Sequence, residues 1–348
     1  LLRPVTAACV FGCAGLTVTA HETAFFREVR PWGFILFGRN VESPDQVRAL
    51  IASLRDAVDN PDAPVMIDQE GGRVRRLRPP HWRRYPPVAA YATLKLNLAP
   101  ESGRELARLG GRLIAHDLAA LGITIDCAPV LDVPTPGAHD VIGDRAFATS
   151  PDEVAGYGRA MAEGLLAGGV LPVIKHIPGH GRAGADSHLA LPVVEASLAE
   201  LEATDFFPFQ VLSDMPLAMT AHVVYSALDP RRPATTSRAV IAGTIRERLG
   251  FDGLLVSDDL SMNALSGDLT TRARAALAAG CDIVLHCSGD PAEMQAVAAG
   301  TRRLAGAAAR RARAALGRIP RRAEPFDAEA AGARFEALFT PAGGGGAA

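Results

Sequence analysis

Lysine is almost missing from this chain: Lys95 and Lys175 stand against thirty-four arginines. Arginine is thus the general surface cation. A lysine kept inside the apolar stretch VIKHI marks a place that wants a compact ammonium group. Cysteine is scarce as well. Cys9, Cys13, Cys127, Cys281 and Cys287 are odd in number and form no CxxC pair. That argues against a disulfide framework and for reduced thiols in the cytoplasm. No excess of charge exists either: a formal net charge of −2 over 348 residues gives no electrostatic reason to expect nucleic acid or a membrane surface as partner. No run approaches the ~20 apolar residues of a membrane-spanning helix. The segment RPVTAACVFGCAGLTV, residues 3–18, has the charge, apolar run and small residues of a secretory signal. It is nevertheless needed as a buried first strand. No GxGxxG follows it, and no HxH or HExxH spacing occurs anywhere.

What is present is apolar material, 48% of the chain, arranged in short runs. Eight recur, at 6–12, 33–38, 64–70, 123–133, 172–177, 217–225, 253–260 and 281–287. Each is nearly continuous rather than alternating, as parallel strands covered on both faces require. Between them lie stretches with helical spacing. In 101–122, Leu106, Leu109, Leu113 and Leu121 fall near one face. The stretch 151–169 opens on proline and acids and closes on glycines. Segments 43–58, 197–214, 237–250 and 267–280 behave alike. Strand followed by helix, eight times, predicts an α/β fold: a single-domain (β/α)₈ TIM barrel over 1–320. An Ala/Arg-rich stretch after 288 reads as one long final helix, which PRRAEP breaks. Residues 321–348 form an extension whose PAGGGGAA tail has too little to bury and is expected to be partly disordered.

In such barrels function sits at the C-terminal ends of the strands. Those ends read Asp68-Gln69-Glu70, Asp132, Lys175-His176, His222, Ser257-Asp258-Asp259 and His286. Stability alone gives no reason to gather ionisable groups on one rim, since their desolvation is costly. The rim is therefore the predicted site, and three chemistries could use it. Histidines 176, 180 and 188 with Asp186 could ligate a metal, although a neighbouring lysine opposes a divalent cation. Lys175 could form a Schiff base. Asp258 could act as the carboxylate nucleophile of a glycoside hydrolase.

Four stretches, MIDQEGGRVRRLRPP, IGDRAF, KHIPGHGRAGADSH and SDDLSM, occur in this order. Together they resemble the bacterial β-N-acetylglucosaminidases of glycoside hydrolase family 3, in particular the single-domain enzymes of peptidoglycan recycling. The resemblance spans about residues 5 to 300. It implies cleavage of non-reducing β-linked N-acetylglucosamine from 1,6-anhydromuramoyl fragments with retention, without metal or organic cofactor. The expected partner is a small-molecule amino-sugar substrate, and the expected state is a monomer. Asp258 matches the family's nucleophile, His188 its general acid/base, and Asp186 the orienting partner of that histidine. Asp68, Arg76, Arg145, Lys175 and His176 match its grip on the sugar. A histidine with a reference pKa near 6.5 suits a role that both gives and takes a proton. The glycines after His176 are expected to let the segment carrying Asp186 and His188 close over substrate. Some relatives with a histidine acid/base transfer the sugar to phosphate, and a non-catalytic sugar-binding barrel is a further alternative. His180 reads equally as loop brace or substrate contact. His222 is expected to be structural, Asp259 to bind backbone or arginine, and Trp32 and Trp82 to pack.

Overall fold

The computed structural model describes residues 6–94, 100–187, 189–320 and 323–339. Eight parallel strands close into a barrel: β1 Ala7–Phe11, β2 Pro31–Leu36, β3 Val65–Ile67, β4 Ile125–Asp126, β5 Leu171–Ile177, β6 Leu217–Thr220, β7 Leu254–Asp259 and β8 Ile283–His286. Each pairs with the next, and β8 pairs with β1. All eight apolar runs have become barrel strands, the first included. Outside the barrel, Val193–Val194 and Val224–Tyr225 form a short parallel pair.

Along each strand, successive side chains point to opposite faces. Val10, Ile35, Met66, Val173, Leu217, Met219, Leu254, Val256, Ile283 and Leu285 point inward and pack together. Their neighbours Cys9, Phe11, Phe34, Leu36, Val65, Ile67, Ile174, Ala218, Leu255 and Val284 point outward into the layer under the helices. Both faces are dry. This is why the strands read as unbroken apolar runs.

The helices are started by local chemistry. Ser43 caps Pro44–Ala57 by accepting the Gln46 N–H, and Thr19 and Glu22 cap Ala20–Val29 reciprocally. Leu106 and Leu113 of Pro100–Ala119 are buried, as is Leu121 just beyond it. The stretch 197–214 forms two short helices, Leu198–Ala203 and Phe207–Val211, instead of one; Pro208 sits in the first turn of the second. Residues 239–248 are wound as a π-helix.

The C-terminal region differs from the single long helix expected. Pro291–Gly300 and Gly306–Leu316 are separate, because the chain between them runs beside β1. There the Ala8 N–H donates to the Arg302 carbonyl at 2.9 Å and the Leu304 N–H to the Thr6 carbonyl at 2.8 Å. Gly300 and Gly306, the latter at φ 56°, bracket the break, and the pairing with β1 holds the intervening segment extended. Ala312 and Ala315 of the second helix pack against the barrel-lining side chains and close the end opposite the strands' C-termini. Within the extension, Ala328–Phe339 is a helix docked through Phe335, which meets Tyr85 and Tyr91 edge-on or tilted. Residues 340–348, where the disordered tail was expected, lie outside the described residues.

Candidate active site

The site is the next layer of the barrel interior. Two residues beyond the inward-facing Ile35, Met66, Val173, Val256 and Leu285 stand Phe37, Asp68, Lys175, Asp258 and Cys287. The same period of two therefore turns all five into one cavity of about 210 Å³ at the C-terminal ends of the strands. Glu70, Arg76, Arg145, His176, His180 and Ser187 complete its polar wall. Six of the eight predicted site residues thus share one cavity: Asp258, Asp68, Arg76, Arg145, Lys175 and His176. Asp186 is half-buried just outside it, its carbonyl accepting the N–H groups of Leu189 and Ala190. His188 lies outside the described residues.

One side of the cavity is a lattice of charges. Lys175 Nζ lies 3.0 Å from Asp68 Oδ1 and 2.6 Å from Glu70 Oε1. Arg76 reaches Asp68 Oδ2 at 3.0 Å, and Arg145 grips both Glu70 oxygens at 2.9 Å. The turn that brings Arg76 back to Asp68 needs its glycines. Gly71 has φ 101° and Gly72 φ 55°, and a Cβ on Gly71 would stand 2.3 Å from the Pro86 carbonyl oxygen. Gln69 closes the turn, its Oε1 accepting the N–H groups of Arg76 and Leu77. Burial alone would raise the Asp68 and Glu70 carboxyls. Lys175 with Arg76, and Lys175 with Arg145, hold them below the usual carboxylate range. Burial likewise opposes the charge on Lys175, but Glu70 and Asp68 outweigh it and raise its pKa. A Schiff-base lysine must lose its proton readily. Lys175, paired with two buried carboxylates that favour its charged form, does not suit that role.

The other side is built on imidazoles. Asp132, fully buried at the end of the β4 segment, accepts the backbone N–H groups of His176 and His180 at 3.1 and 2.7 Å. Its Oδ2 lies 2.7 Å from His176 Nδ1. Burial works against its charge, but His176 and His180 bring its pKa down to about 2. An ionised Asp132 makes Nδ1 of His176 the donor, which fixes the ring and leaves Nε2 as its second polar atom. Burial and the neighbouring His176 push His180 down to about 4. Its Nε2 pairs with Ser187 Oγ at 3.1 Å, so it braces the loop as well as lining the cavity. His222 is fully buried between Thr235 Oγ1 at 2.7 Å and the Asp259 carbonyl at 3.0 Å, a structural role. Asp259 binds the backbone N–H groups of Ser261 and Cys287. Trp32 and Trp82 are buried packing residues.

Between these sides stands Asp258. Burial raises its pKa, but the imidazoles of His222 and His176, the Asp259 N–H and Lys175 bring it below the ordinary value. It is a cavity-facing carboxylate kept in its ionised form.

The loop after β5 is less free than its glycines suggest. A Cβ on Gly181 would stand 2.1 Å from the Val133 carbonyl oxygen, so this glycine serves close packing. Tyr225 Oη donates to the Gly179 carbonyl at 2.6 Å, and Arg182 pairs with Asp205 at 2.6 Å. Only Gly184 has open space around it. The base of the loop is therefore fixed through Arg182.

Sequence reasoning placed Glu70 and Asp132 on the rim but gave neither a role. Both are buried carboxylates that hold a cavity-lining residue, Arg145 or His176. The signal was there: an acid at the end of an otherwise apolar strand needs a partner.

An ionised carboxylate facing fixed cations and imidazoles equips a barrel enzyme for a polyhydroxylated substrate. The model of the glycosyl hydrolase family 3 N-terminal domain matches residues 21–319, and the chain belongs to that family of glycoside hydrolases. A β-hexosaminidase of Methylococcus capsulatus is 44% identical over 283 residues, 80% of this chain and 82% of that protein. One of Thioalkalivibrio sulfidiphilus is 44% identical over 278 residues, 79% of this chain and 78% of its own length. The crystal structure of NagZ from Neisseria gonorrhoeae, in complex with N-trifluoroacetyl-D-glucosamine, superposes with a TM-score of 0.86 at 31% identity. That match covers 98% of this chain and 100% of that one.

Proposed function

We propose that the protein is a retaining exo-β-N-acetylglucosaminidase that removes non-reducing N-acetylglucosamine from peptidoglycan fragments, acting as a monomer in the cytoplasm. The observation that carries this reading is Asp258: a cavity-facing carboxylate at the end of β7, held ionised beside the Lys175 lattice. The names of the relatives and the amino-sugar analogue in the gonococcal neighbour agree with it. Among the described residues no helix is long and apolar enough to cross a membrane.

In this reading the Asp258 carboxylate attacks the anomeric carbon and displaces the leaving oxygen, which takes a proton from His188. Water, deprotonated by His188, then releases the sugar from Asp258. Asp186 orients His188. Lys175 has three donors, two of them engaged by Asp68 and Glu70, so one remains for a sugar hydroxyl. His176, its Nδ1 held by Asp132, offers Nε2 to another. Asp68, Arg76 and Arg145 fix the remaining hydroxyls and the lattice itself. The segment beyond Gly184 swings His188 onto the bound sugar.

Incubation with a 5-fluoro N-acetylglucosaminyl donor, followed by peptide mass spectrometry, should place the sugar adduct on Asp258. Asp258→Ala should lower turnover by about four orders of magnitude or more with the fold intact. An adduct on another residue, or full activity in that variant, defeats the reading.

A further inference from the structure

The lattice around Lys175 carries more positive than negative charge. Arg76, Lys175 and Arg145 share only Asp68 and Glu70, and Asp68 must serve both Lys175 and Arg76 at 3.0 Å. Arg145 takes both oxygens of Glu70, whereas the Arg76 guanidinium makes a single hydrogen bond, to Asp68 Oδ2. Its Nε is buried and has no hydrogen-bond partner among the described residues. Two parallel hydrogen bonds fix a guanidinium plane, but one alone lets it turn. Arg76 therefore needs a second contact to hold its place.

That contact is an aromatic ring. The Arg76 guanidinium carbon stands over the Phe37 ring, 5.0 Å from its centroid. The face of such a ring is the negative end of its quadrupole, and it attracts a cation within about 6 Å. The attraction grows where water is kept away, and the Arg76 side chain is only 23% exposed. Phe37 is itself firmly held. It directly follows β2, and its N–H donates to Asn40 Oδ1 at 2.9 Å. Buried Asn40 donates in turn to the carbonyls of Cys13 and Gly15 at 3.1 and 2.8 Å. Arg39, whose guanidinium carbon also lies 5.0 Å from the Phe37 centroid, is tied to the carbonyls of Cys13 and Cys287. The ring thus stands on backbone from the loops after β1, β2 and β8, and it passes that rigidity to the turn after β3 that carries Arg76.

We propose that Phe37 is a positioning residue for Arg76: the face of its ring supplies the negative potential that the lattice lacks, and affinity for the sugar depends on it. Phe37 lines the same cavity, yet it acts through the arginine. This inference rests on the glycosidase function and the sugar-binding role of Arg76 proposed above, and it adds a residue that no ion pair marks.

The test replaces Phe37 by mono-, di- and trifluorophenylalanine. Each added fluorine drains the ring face of negative potential while nearly preserving its shape. Turnover of 4-nitrophenyl β-N-acetylglucosaminide is measured for the series twice, in the otherwise unchanged chain and together with Arg76→Met. In the unchanged chain KM should climb with each fluorine while kcat holds within about twofold. Phe37→Leu, which removes the ring but keeps an apolar side chain, should raise KM by about five- to thirtyfold. With Arg76→Met in place, kcat/KM, which needs no saturation, should fall once and then stay level across the series. A KM indifferent to fluorine overturns the inference and leaves the proposed function standing. So does an equal climb in both backgrounds, which would mean that the ring meets the sugar directly. A wild-type protein that does not cleave the compound overturns both.

Discussion

Across the catalytic cavity, the wall built from β3, the 143–145 turn and the end of β5 carries five formal charges joined in four ion pairs. The facing wall, around Asp132 and Asp258, surrounds its carboxylates with the imidazoles of His176, His180 and His222. In the first wall every shift drives a group further into its charged form, so it presents the same charges across the whole physiological range. In the second wall burial drives His180 and His222 toward their neutral forms. One wall therefore keeps its charges at any physiological pH, and the other sets the protonation of its buried imidazoles by desolvation.

Removing Lys175 breaks the first wall most severely. Lys175→Met keeps the side chain's length but leaves Asp68 and Glu70 crowded together in a buried site, each short of one counter-ion. Loss of one partner from a buried charge network costs about 3–5 kcal/mol. Urea unfolding should show a loss of that order at neutral pH, together with loss of turnover. Acid should narrow the gap. Asp68 and Glu70 have depressed pKa values, so their stabilisation is present above the unfolded carboxylate range and fades as pH falls below it. A variant as stable as the wild type at pH 7 would show that the lattice contributes little.

Asp132→Asn tests the second wall with almost no change of shape. The remaining oxygen can still accept the N–H groups of His176 and His180, but the amide nitrogen replaces the carboxylate oxygen that faces His176 Nδ1. The ring must then accept at Nδ1 and carry its proton on Nε2. We expect a loss of about 1.5–3 kcal/mol, the size of a charge-assisted hydrogen bond. KM for the sugar should rise more than stability alone explains, because the ring is no longer fixed through Nδ1 by a carboxylate. Imidazole nitrogen chemical shifts would report the switched tautomer directly.

How much of this could be read from the chain depends on whether the deciding interaction is local or distant. The eight strands were legible because burial on both faces leaves unbroken apolar runs. Lys175 was legible because lysine is otherwise so rare. Asp68, Arg76, Arg145 and Asp258 were legible through short motifs, and the cavity brings these four together. Glu70 and Asp132 received no role, since their partners Arg145 and His176 lie 75 and 44 residues away. The split of the alanine-rich C-terminal region was hidden for the same reason: the backbone of 302–304 is claimed by the start of β1. Gly181 misled for a different reason. Glycine serves both freedom and close approach, and only the Val133 carbonyl beside it reveals which.

The smallest effect at neutral pH belongs to His180, and the pH window in which it acts distinguishes the two walls. Its pKa falls from 6.5 to about 4 on folding, because burial and His176 oppose the cation more than Asp132 and Asp258 favour it. Between those two values the unfolded chain binds more protons than the folded one, so stability must rise with pH across that window. The gain approaches completion above the unfolded value and is lost as pH falls through the folded one. Its size follows from about 1.4 kcal/mol per unit of displacement. His180→Gln retains a polar group within reach of Ser187 Oγ but cannot be protonated. At pH 7, where the wild-type ring is mostly neutral in either state, the substitution should cost only about 1 kcal/mol, one neutral hydrogen bond. As pH falls from 6.5 to 4 the wild type should lose stability faster than the variant, and the two melting curves should converge or cross. If their difference stays constant across that range, His180 is not held neutral, and the imidazole wall would resemble the charged wall more closely than its geometry indicates.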